Sequence, residues 1–380
     1  MVKSNVNALG IIFPNSYDNM VPELVTERLM ASIPFAGRYR MIDFILSSMV
    51  SSGIDNISII VRNNYHSLMD HLGSGREWDL TRKNGGLTII PPFAEKTVKM
   101  YNGRVEALAS ILELLRDQKE EYVVMSDANI AVNFDFSAML QAHIESGADV
   151  TVAYKEEELA DSLKNLDIMK EDFFYTLSLE GDRVKKIYVN SEESGPQNLS
   201  MNIYILKREL LIDLIHTAFV RGYVYFERDI LAHRLDKLNV KAYRFDGYLA
   251  RITDMKSYFD ENMKLLKDEN LDSLFSGNPI YTKVRDDNPT RYINGSKAKN
   301  VMVADGCVIE GEIENSILFR GVKVAKGAKV KNCILMQDTV IEAGAEIEYV
   351  VSDKYVTVSE GKQLKGTDSF PVFIAKDQVV

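Results

Sequence analysis

The first two thirds of the chain alternate short apolar runs with segments in which apolar residues recur every three or four positions. The runs Ala8–Phe13 and Ile57–Val61 predict buried strands, and the apolar stripe of Val105–Leu115 predicts a helix. Strands that alternate with helices are typical of an α/β domain with a mostly parallel sheet. Such sheets bind ligands at the carboxyl ends of their strands, so we expect a site in the loops after Phe13 and Met125.

A different pattern covers the last part of the chain. Glu314–Leu318 recurs as Lys331–Leu335 and, more weakly, as Glu348–Val351, at steps of 17 residues. Within each period, apolar residues such as Val324 and Val330 stand six positions apart around a glycine. A six-residue apolar repeat, used three times per coil, predicts a parallel β-helix. The alternative is an antiparallel β-sandwich of short strands, which the strict period disfavours.

The two patterns divide the 380 residues into three parts. An α/β domain is predicted over 1–267 and the β-helix over 292–380. Residues 268–291 are polar and contain glycine and proline, which predicts a linker.

Charge and cysteine content narrow the function. The net charge is −10, which disfavours nucleic acid as a partner because duplex binding needs a basic surface. The two cysteines, Cys307 and Cys333, form no CxxC motif, so neither a metal site nor a disulfide framework is expected. The apolar run near the N-terminus stops at Pro14, too early for a signal peptide or a membrane span. We therefore predict a cytoplasmic protein.

Three stretches carry a resemblance to a known family. Pro34–Phe44, PFAGRYRMIDF, resembles the pattern PFGGKYRIIDF, and Gly73–Gly86, GSGREWDLTRKNGG, resembles GSGxxWDLxxxxGG. Tyr101–Ala107, YNGRVEA, resembles YxGTADA. These are motifs of bacterial ADP-glucose pyrophosphorylase, the glucose-1-phosphate adenylyltransferase of glycogen biosynthesis. The resemblance spans essentially the whole chain and implies a Rossmann-like nucleotidyltransferase domain followed by a left-handed β-helix.

The phosphate-binding loop departs from the family pattern, AGGxGxRL. Counted from Pro34 without gaps, the family's glycines fall on Asn15, Ser16 and Asp18, its arginine on Met20, and the lysine of a following KPAVPF-like stretch on Met30. Glycines let backbone amides approach a triphosphate closely, and the arginine neutralises it. We therefore expect this loop to bind ATP poorly.

The positions that hold Mg²⁺ in the family have also changed. One metal-binding aspartate corresponds to Asn129, and the other, in GYWxDVGT, corresponds to Arg251. An arginine cannot bind Mg²⁺, which prefers oxygen ligands. Asp127 lies two residues from the first position and could replace it only with a shift. The family's sugar-phosphate lysine corresponds approximately to Asn190.

These departures resemble the D-type regulatory subunit that some Gram-positive bacteria combine with a catalytic subunit. The resemblance implies a largely non-catalytic chain, without a cofactor of its own, in a hetero-oligomer, typically a tetramer, whose catalytic partner uses Mg²⁺ and ATP. A homo-oligomer is a further option. Two other functions stay open: an active enzyme that uses Asp127 for its metal, and a sensor that binds a sugar phosphate or nucleotide without converting it.

Five residues are candidates for remaining ligand contacts. Gly103, in the third matching stretch, could form a residual nucleotide or sugar pocket with Asp127 and Ser200, although Gly103 could instead simply begin a helix. In the family, a basic residue at the position of Arg38 contributes to a site for phosphorylated effectors. Arginine suits phosphate because of its bidentate geometry, and Arg40 is a second candidate. The alternative for both arginines is an ordinary ion pair.

Overall fold

The computed structural model describes residues 6–83, 85–92, 101–164 and 173–380. Asn84 of the glycine-rich motif lies outside these residues. The helices that precede the repeat domain are α1 Pro22–Val25, α2 Met41–Ser51, α3 His66–Leu72, α4 Arg104–Ala109, α5 Leu112–Asp117, α6 Phe136–Ser146, α7 Asp161–Lys164, α8 Arg208–Val220, α9 Met255–Lys264 and α10 Asp268–Phe275. Short 3-10 helices span Asp18–Met20, Met30–Ser32 and Arg76–Trp78, and a π-helix spans Phe226–Leu231.

Thirteen of the described strands belong to the first domain. They are β1 Ala8–Phe13, β2 Pro34–Phe35, β3 Tyr39–Arg40, β4 Asn56–Ile60, β5 Gly86–Ile90, β6 Tyr122–Asp127, β7 Ile130–Val132, β8 Val150–Glu158, β9 Tyr175–Glu180, β10 Arg183–Val189, β11 Pro196–Lys207, β12 Val240–Arg244 and β13 Leu249–Arg251. The main sheet has the order β5-β4-β1-β6-β11-β8-β12-β10-β9. The prediction of a mostly parallel sheet holds for β5, β4, β1 and β6. Beyond them the sheet is mixed, because β11 runs antiparallel to both of its neighbours.

Both faces of this sheet are covered, which explains why its first strand is apolar throughout. Ala8 and Ile12 belong to one buried apolar cluster, whereas Leu9 and Ile11 belong to another. Successive side chains of a strand point to opposite faces, so a strand between two layers needs apolar residues at every position. The helix predicted over Val105–Leu115 is divided in two, α4 and α5, because residues 110 and 111 interrupt it.

The predicted linker contains regular structure. Its first eight residues form α10, so 268–291 is not a simple coil connection. Leu274 of this helix is buried in a third apolar cluster, which also contains Phe35 and Phe44 of the first domain and Ile317 and Phe319 of the repeat domain. This cluster joins the two domains.

The repeat domain is a parallel β-helix. Its strands are β14 Arg291–Tyr292, β15 Lys297–Val303, β16 Val308–Ile309, β17 Glu312–Leu318, β18 Lys323–Val324, β19 Lys329–Lys331, β20 Ile334–Leu335, β21 Val340–Ile341, β22 Glu346–Glu348, β23 Val350–Ser352, β24 Thr357–Val358, β25 Gln363–Lys365 and β26 Val372–Ile374. Every pairing between these strands is parallel, which excludes the antiparallel sandwich. Gly327 has φ +77° and Gly344 has φ +68°, a left-handed conformation that favours glycine at the turns between faces.

Charged side chains alternate along one face of the β-helix. Lys297 pairs in register with Glu312, Glu312 with Lys329, and Lys329 with Glu346. The lysine Nζ atoms of Lys297 and Lys329 both lie 2.7 Å from a carboxylate oxygen of the neighbouring coil. A parallel column, Lys299, Glu314, Lys331, Glu348 and Lys365, alternates in the same way. These pairs are exposed, so each contributes little to stability.

Two ion pairs connect the loop before β2 to the last coils. Arg28 donates two hydrogen bonds to the carboxylate of Asp353, each 2.8 Å long, and both side chains are buried. Glu27 pairs with Lys376 at the surface. The segment that follows the altered phosphate loop is therefore attached to the β-helix. Within the described residues, no helix is both long and apolar enough to cross a membrane.

Candidate functional site

A pocket lies at the carboxyl ends of three parallel strands, β1, β4 and β6, where the sequence predicted a site. We call it the sheet-edge pocket, and its volume is about 160 Å³. Aromatic rings, asparagines and two opposite pairs of charges line it: Phe13, Asn15, Ser16, Tyr17, Asn19, Ile60, Arg62, Tyr101, Asn102, Gly103, Arg104, Ala107, Asp127, Phe173, Tyr175, Asn202, Tyr225 and Glu227. Of the three predicted pocket residues, Gly103 and Asp127 line it, whereas Ser200 is not part of this lining.

The altered phosphate loop is held by its own side chains. Asn15 Nδ2 donates to Asp18 Oδ2 at 2.8 Å, and Asn15 Oδ1 accepts from the backbone amide of Arg62 at 2.8 Å. Asp18 Oδ1 accepts from the backbone amide of Met30 at 2.7 Å. The asparagine and aspartate that replace glycines thus bind the protein itself, as expected for side chains that compete for local backbone groups.

Three of the replaced positions have structural roles away from the pocket lining. Met20 and Met30 pack in an apolar cluster, and Met30 is fully buried. Asn190 has φ +50°, and its Oδ1 accepts from the backbone amide of Phe174 at 3.0 Å. Asparagine tolerates this left-handed conformation better than most residues.

Asp127 ends β6 with its carboxylate fully engaged. Its Oδ1 accepts from Ser16 Oγ at 2.7 Å and from Arg104 Nη2 at 2.6 Å, and its Oδ2 accepts from Asn202 Nδ2 at 2.9 Å. The side chain is 1% exposed. A metal ion at Asp127 would have to displace the arginine.

The two positions that hold Mg²⁺ in the family, Asn129 and Arg251, do not fit the ion either. Asn129 is buried, and its Oδ1 has no hydrogen-bond partner among the described residues. Arg251 Nε lies 3.1 Å from a carboxylate oxygen of Glu157, and Nη1 donates to the carbonyl of Ser200 at 3.2 Å. Within the described part of the chain, no group of three or more His, Cys, Asp or Glu side chains could hold a metal ion. These residues therefore do not supply the carboxylate ligands of the family's Mg²⁺ site.

Arg104 is one of the pocket residues that sequence reasoning missed. Burial lowers the pKa of its guanidinium, but the carboxylate of Asp127 together with Tyr204 and Tyr175 outweighs burial, so that the pKa is raised. Gly103, just before it, leaves no room for a side chain, because a Cβ atom would lie 2.4 Å from the carbonyl oxygen of Val224. The signal was present: Arg104 stands where the resembling motif YxGTADA has its threonine.

A second cavity, of about 370 Å³, lies between the first domain and the β-helix. We call it the interdomain cavity. Six cationic side chains line it: Arg38, Arg40, Lys283, Arg285, Arg320 and Lys354. The structure thus brings the two predicted effector arginines together with four cations from residues 283–354, which sequence reasoning did not connect with them.

These cations have few acidic partners. Asp70 Oδ2 accepts from Lys283 at 3.2 Å, and Asp287 lies 3.7 Å from Arg320. For Arg38, Arg285 and Lys354, no carboxylate of the described residues lies within ion-pair distance. Arg40 instead donates to the carbonyl of Ser67 at 2.6 Å. The described residues contain no ion pair of the Arg40 side chain, which was the alternative to its role in binding phosphate.

Burial and like charges lower the pKa values in this cavity. The pKa of Lys354 falls to about 7 because burial disfavours the charged form and because Arg40 and Arg28 repel it. Burial likewise lowers the pKa of Arg40 to about 10, and burial and Arg38 lower that of Arg320. A set of incompletely paired cations, several of them partly or fully buried, is the arrangement that stabilises a bound anion.

Comparison with known proteins identifies the family. Residues 24–268 match the nucleotidyl transferase family, and residues 284–369 match the GlmU-like C-terminal hexapeptide family. The glycogen biosynthesis protein GlgD of Bacillus subtilis is 34% identical over 377 residues, which cover 99% of this chain and 97% of that protein. This chain is a member of the GlgD and glucose-1-phosphate adenylyltransferase family. The hexapeptide match confirms the left-handed β-helix.

Both branches of the family are represented among the relatives. GlgD of Geobacillus stearothermophilus is 36% identical over 332 residues, 86% of this chain and 83% of that protein. A glucose-1-phosphate adenylyltransferase of Bacillus mycoides is 33% identical over 343 residues, 87% of each chain. The chain is thus a glycogen-biosynthesis homologue, as the sequence motifs indicated.

Proposed function

We propose that this chain is a regulatory, largely non-catalytic subunit of glucose-1-phosphate adenylyltransferase, the enzyme that makes ADP-glucose and pyrophosphate from ATP and glucose 1-phosphate. One observation carries the proposal. All three positions considered for Mg²⁺, Asp127, Asn129 and Arg251, either lack a carboxylate or have it bound to the protein's own cation. Transfer of a nucleotidyl group needs a metal to gather the phosphates and to offset developing charge.

The regulatory role requires a partner. We place the chain in a cytoplasmic hetero-oligomer, a tetramer, with a catalytic homologue that binds Mg²⁺ and ATP, and not with nucleic acid or a membrane. Activation then corresponds to a coupling free energy across the subunit interface, typically about 1–3 kcal/mol. The match to the nucleotidyl transferase family over residues 24–268 supports this assembly, because the chain keeps the fold of the proposed catalytic homologue.

The interdomain cavity is the proposed site for a phosphorylated effector. Arg38 and Arg40 lie on its first-domain side, while Arg320 and Lys354 belong to the β-helix. A phosphate between them would neutralise cations of both domains and so favour one relative arrangement of the domains. Such differential binding is what allows an effector to shift an equilibrium.

The test has two arms. The purified chain alone is assayed for ADP-glucose formation with ATP, glucose 1-phosphate and Mg²⁺, and then with its catalytic homologue after size-exclusion chromatography of the mixture. We expect no turnover alone, co-elution, and an increase in the partner's kcat or a change in its effector response. Turnover of the isolated chain at the rate of an ordinary family enzyme contradicts the proposal. Loss of that turnover in Asp127→Asn would support the alternative of an active enzyme that uses Asp127.

The cationic cavity also favours a second function, a free-standing sensor that binds a phosphorylated ligand without converting it. Calorimetry with ADP-glucose, ATP, fructose 1,6-bisphosphate and phosphate addresses this function. A ligand bound by the homo-oligomer, with no complex formed with the catalytic homologue, identifies a sensor rather than a subunit.

A further inference from the structure

Arg104 has an unusual position for an arginine, because it lines the sheet-edge pocket with only 10% of its side chain exposed. Its Nη2 lies 2.6 Å from Asp127 Oδ1, and its Nη1 pairs with Glu227. Both carboxylates are also almost fully buried, at 1% and 5% exposure. One guanidinium therefore bridges two buried acids.

The bridge resolves an electrostatic problem. Two carboxylates in a poorly solvated pocket repel each other and lose hydration, and a cation between them offsets both costs. The guanidinium also lies over two aromatic rings, 4.9 Å from the centroid of Phe13 and 5.6 Å from that of Tyr204. These ring faces add a favourable cation–π contact.

The same bridge joins three separate parts of the chain. Arg104 begins α4, Asp127 ends β6, and Glu227 lies in the π-helix. The backbone amide of Val105 donates to the carbonyl of Val224 at 3.0 Å, which fixes α4 beside the segment that leads into that helix. Arg104 thus gathers carboxylates from distant segments, as a metal ion does at a site with carboxylate ligands.

We propose that Arg104 is a built-in cation that holds the sheet-edge pocket together and excludes divalent metal ions from Asp127 and Glu227. Mg²⁺ and Mn²⁺ commonly use one or two carboxylates and complete their shells with water. Removal of the guanidinium charge leaves such a pair. The pocket of this chain is accordingly independent of metal, and an Arg104 variant acquires a divalent cation site.

The proposal goes beyond the regulatory function and can fail separately from it. A regulatory subunit requires only that the chain lacks turnover and acts on a partner. The role of Arg104 concerns metal binding by this chain alone, so its test involves neither a catalytic partner nor ADP-glucose synthesis.

The test measures Mn²⁺ binding by calorimetry and thermal unfolding of the full chain with and without millimolar Mn²⁺. The variants are Arg104→Gln, Arg104→Gln with Asp127→Asn, and the control Arg62→Gln. Arg62 lines the same pocket but is not among the described partners of Asp127 or Glu227. We expect no Mn²⁺ response in the unmodified chain or in the control. We expect Arg104→Gln to have a lower Tm that Mn²⁺ raises by several degrees, and the double variant to lose this response.

Two results would overturn the proposal. One is Mn²⁺ binding by the unmodified chain as tight as binding by Arg104→Gln. The other is a folded Arg104→Gln whose Tm and calorimetric signal do not respond to Mn²⁺. If Arg104→Gln is obtained only unfolded, its refolding yield with and without Mn²⁺ is the readout, and a yield that Mn²⁺ does not raise contradicts the proposal equally.

Discussion

The sheet-edge pocket and the interdomain cavity both contain buried arginines, yet the surroundings of those arginines are opposite. In the sheet-edge pocket Arg104 is bound by Asp127 and Glu227. In the interdomain cavity, six cations share few carboxylates, and the pKa of Lys354 falls to about 7 because of burial and repulsion. An arginine is thus a poor indicator of a phosphate site by itself. What matters is whether the protein has already supplied its counter-ion.

The largest expected effect on stability comes from the buried ion pair that attaches the first domain to the β-helix, beside the interdomain cavity. Asp353→Ala leaves Arg28 buried without its bidentate partner, and loss of one member of a buried pair costs about 3–5 kcal/mol. We expect the free energy of unfolding, measured in urea, to fall by about that amount. Glu27→Ala is the matched control, since it breaks the adjacent but exposed pair with Lys376 and should cost less than about 1 kcal/mol. Equal effects of the two variants would show that burial of the Arg28 pair is unimportant.

The next effect distinguishes the two sites by anion affinity. Arg320 is buried in the interdomain cavity, and its Nε has no hydrogen-bond partner among the described residues. We expect Arg320→Met to weaken sulfate binding about tenfold, or ~1.4 kcal/mol, because a bound anion would satisfy that donor. Calorimetry at fixed ionic strength is the measurement, with Arg62→Gln in the sheet-edge pocket as the control. A similar loss of sulfate affinity in Arg62→Gln would place the anion in the sheet-edge pocket instead of the interdomain cavity.

A smaller, several-fold effect should appear as a pH dependence. Lys354 loses its charge as the pH rises through about 7, and Arg40, Arg28 and Lys376 oppose the charge while Asp353 favours it. Sulfate keeps its charge across this range, so we expect it to bind more tightly at pH 6 than at pH 8.5. Lys354→Met should bind sulfate with nearly the same affinity at both pH values. An unchanged dependence in that variant would exclude Lys354 as its source.

The lowered pKa of Lys354 also affects the stability of the fold, which should rise with pH where the affinity for sulfate falls. Between about 7 and the ordinary lysine pKa of 10.5, the unfolded chain binds more protons at Lys354 than the folded chain does. This residue alone therefore makes the folded state more stable as the pH rises through that range. Bound sulfate favours the charged lysine and should reduce this pH dependence, which thermal unfolding with and without sulfate would measure.

The smallest effect is expected at Arg38, which the sequence singled out first. Its side chain is exposed, so solvent and salt screen its interaction with an anion. Arg38→Gln should weaken sulfate binding only about two- to threefold, with a loss that diminishes at high salt. A loss as large as that of Arg320→Met would mean that the anion lies near the mouth of the cavity.

Sequence reasoning succeeded where the signal was periodic. The repeat around Val324 and Val330 predicted the β-helix, because each coil must place an apolar residue over the last. The apolar run Ala8–Phe13 predicted a buried strand. Neither pattern could indicate that β11 runs antiparallel inside the sheet, because the direction of a buried strand leaves no mark in its composition.

The sites were predictable only where one stretch of sequence holds the residues. Asn129 and Arg251 could be recognised by position, because counting from nearby stretches aligns them with the family pattern, and neither side chain carries a carboxylate. The partners of Arg104 could not be recognised, because Glu227 is separated from it by more than a hundred residues and belongs to no quoted motif. Likewise, Lys354 joins Arg40 only after the β-helix has packed against the first domain.

The alternating lysine and glutamate columns of the β-helix restrict how this domain can change in length. Deletion of one coil, for example the one that carries Glu312 and Glu314, would place Lys297 beside Lys329 and Lys299 beside Lys331. Duplication of a single coil would likewise place identical charges side by side. Two coils together preserve the alternation. Insertions or deletions of two coils should therefore be tolerated better than insertions or deletions of one coil, because only an even number of coils keeps lysine beside glutamate.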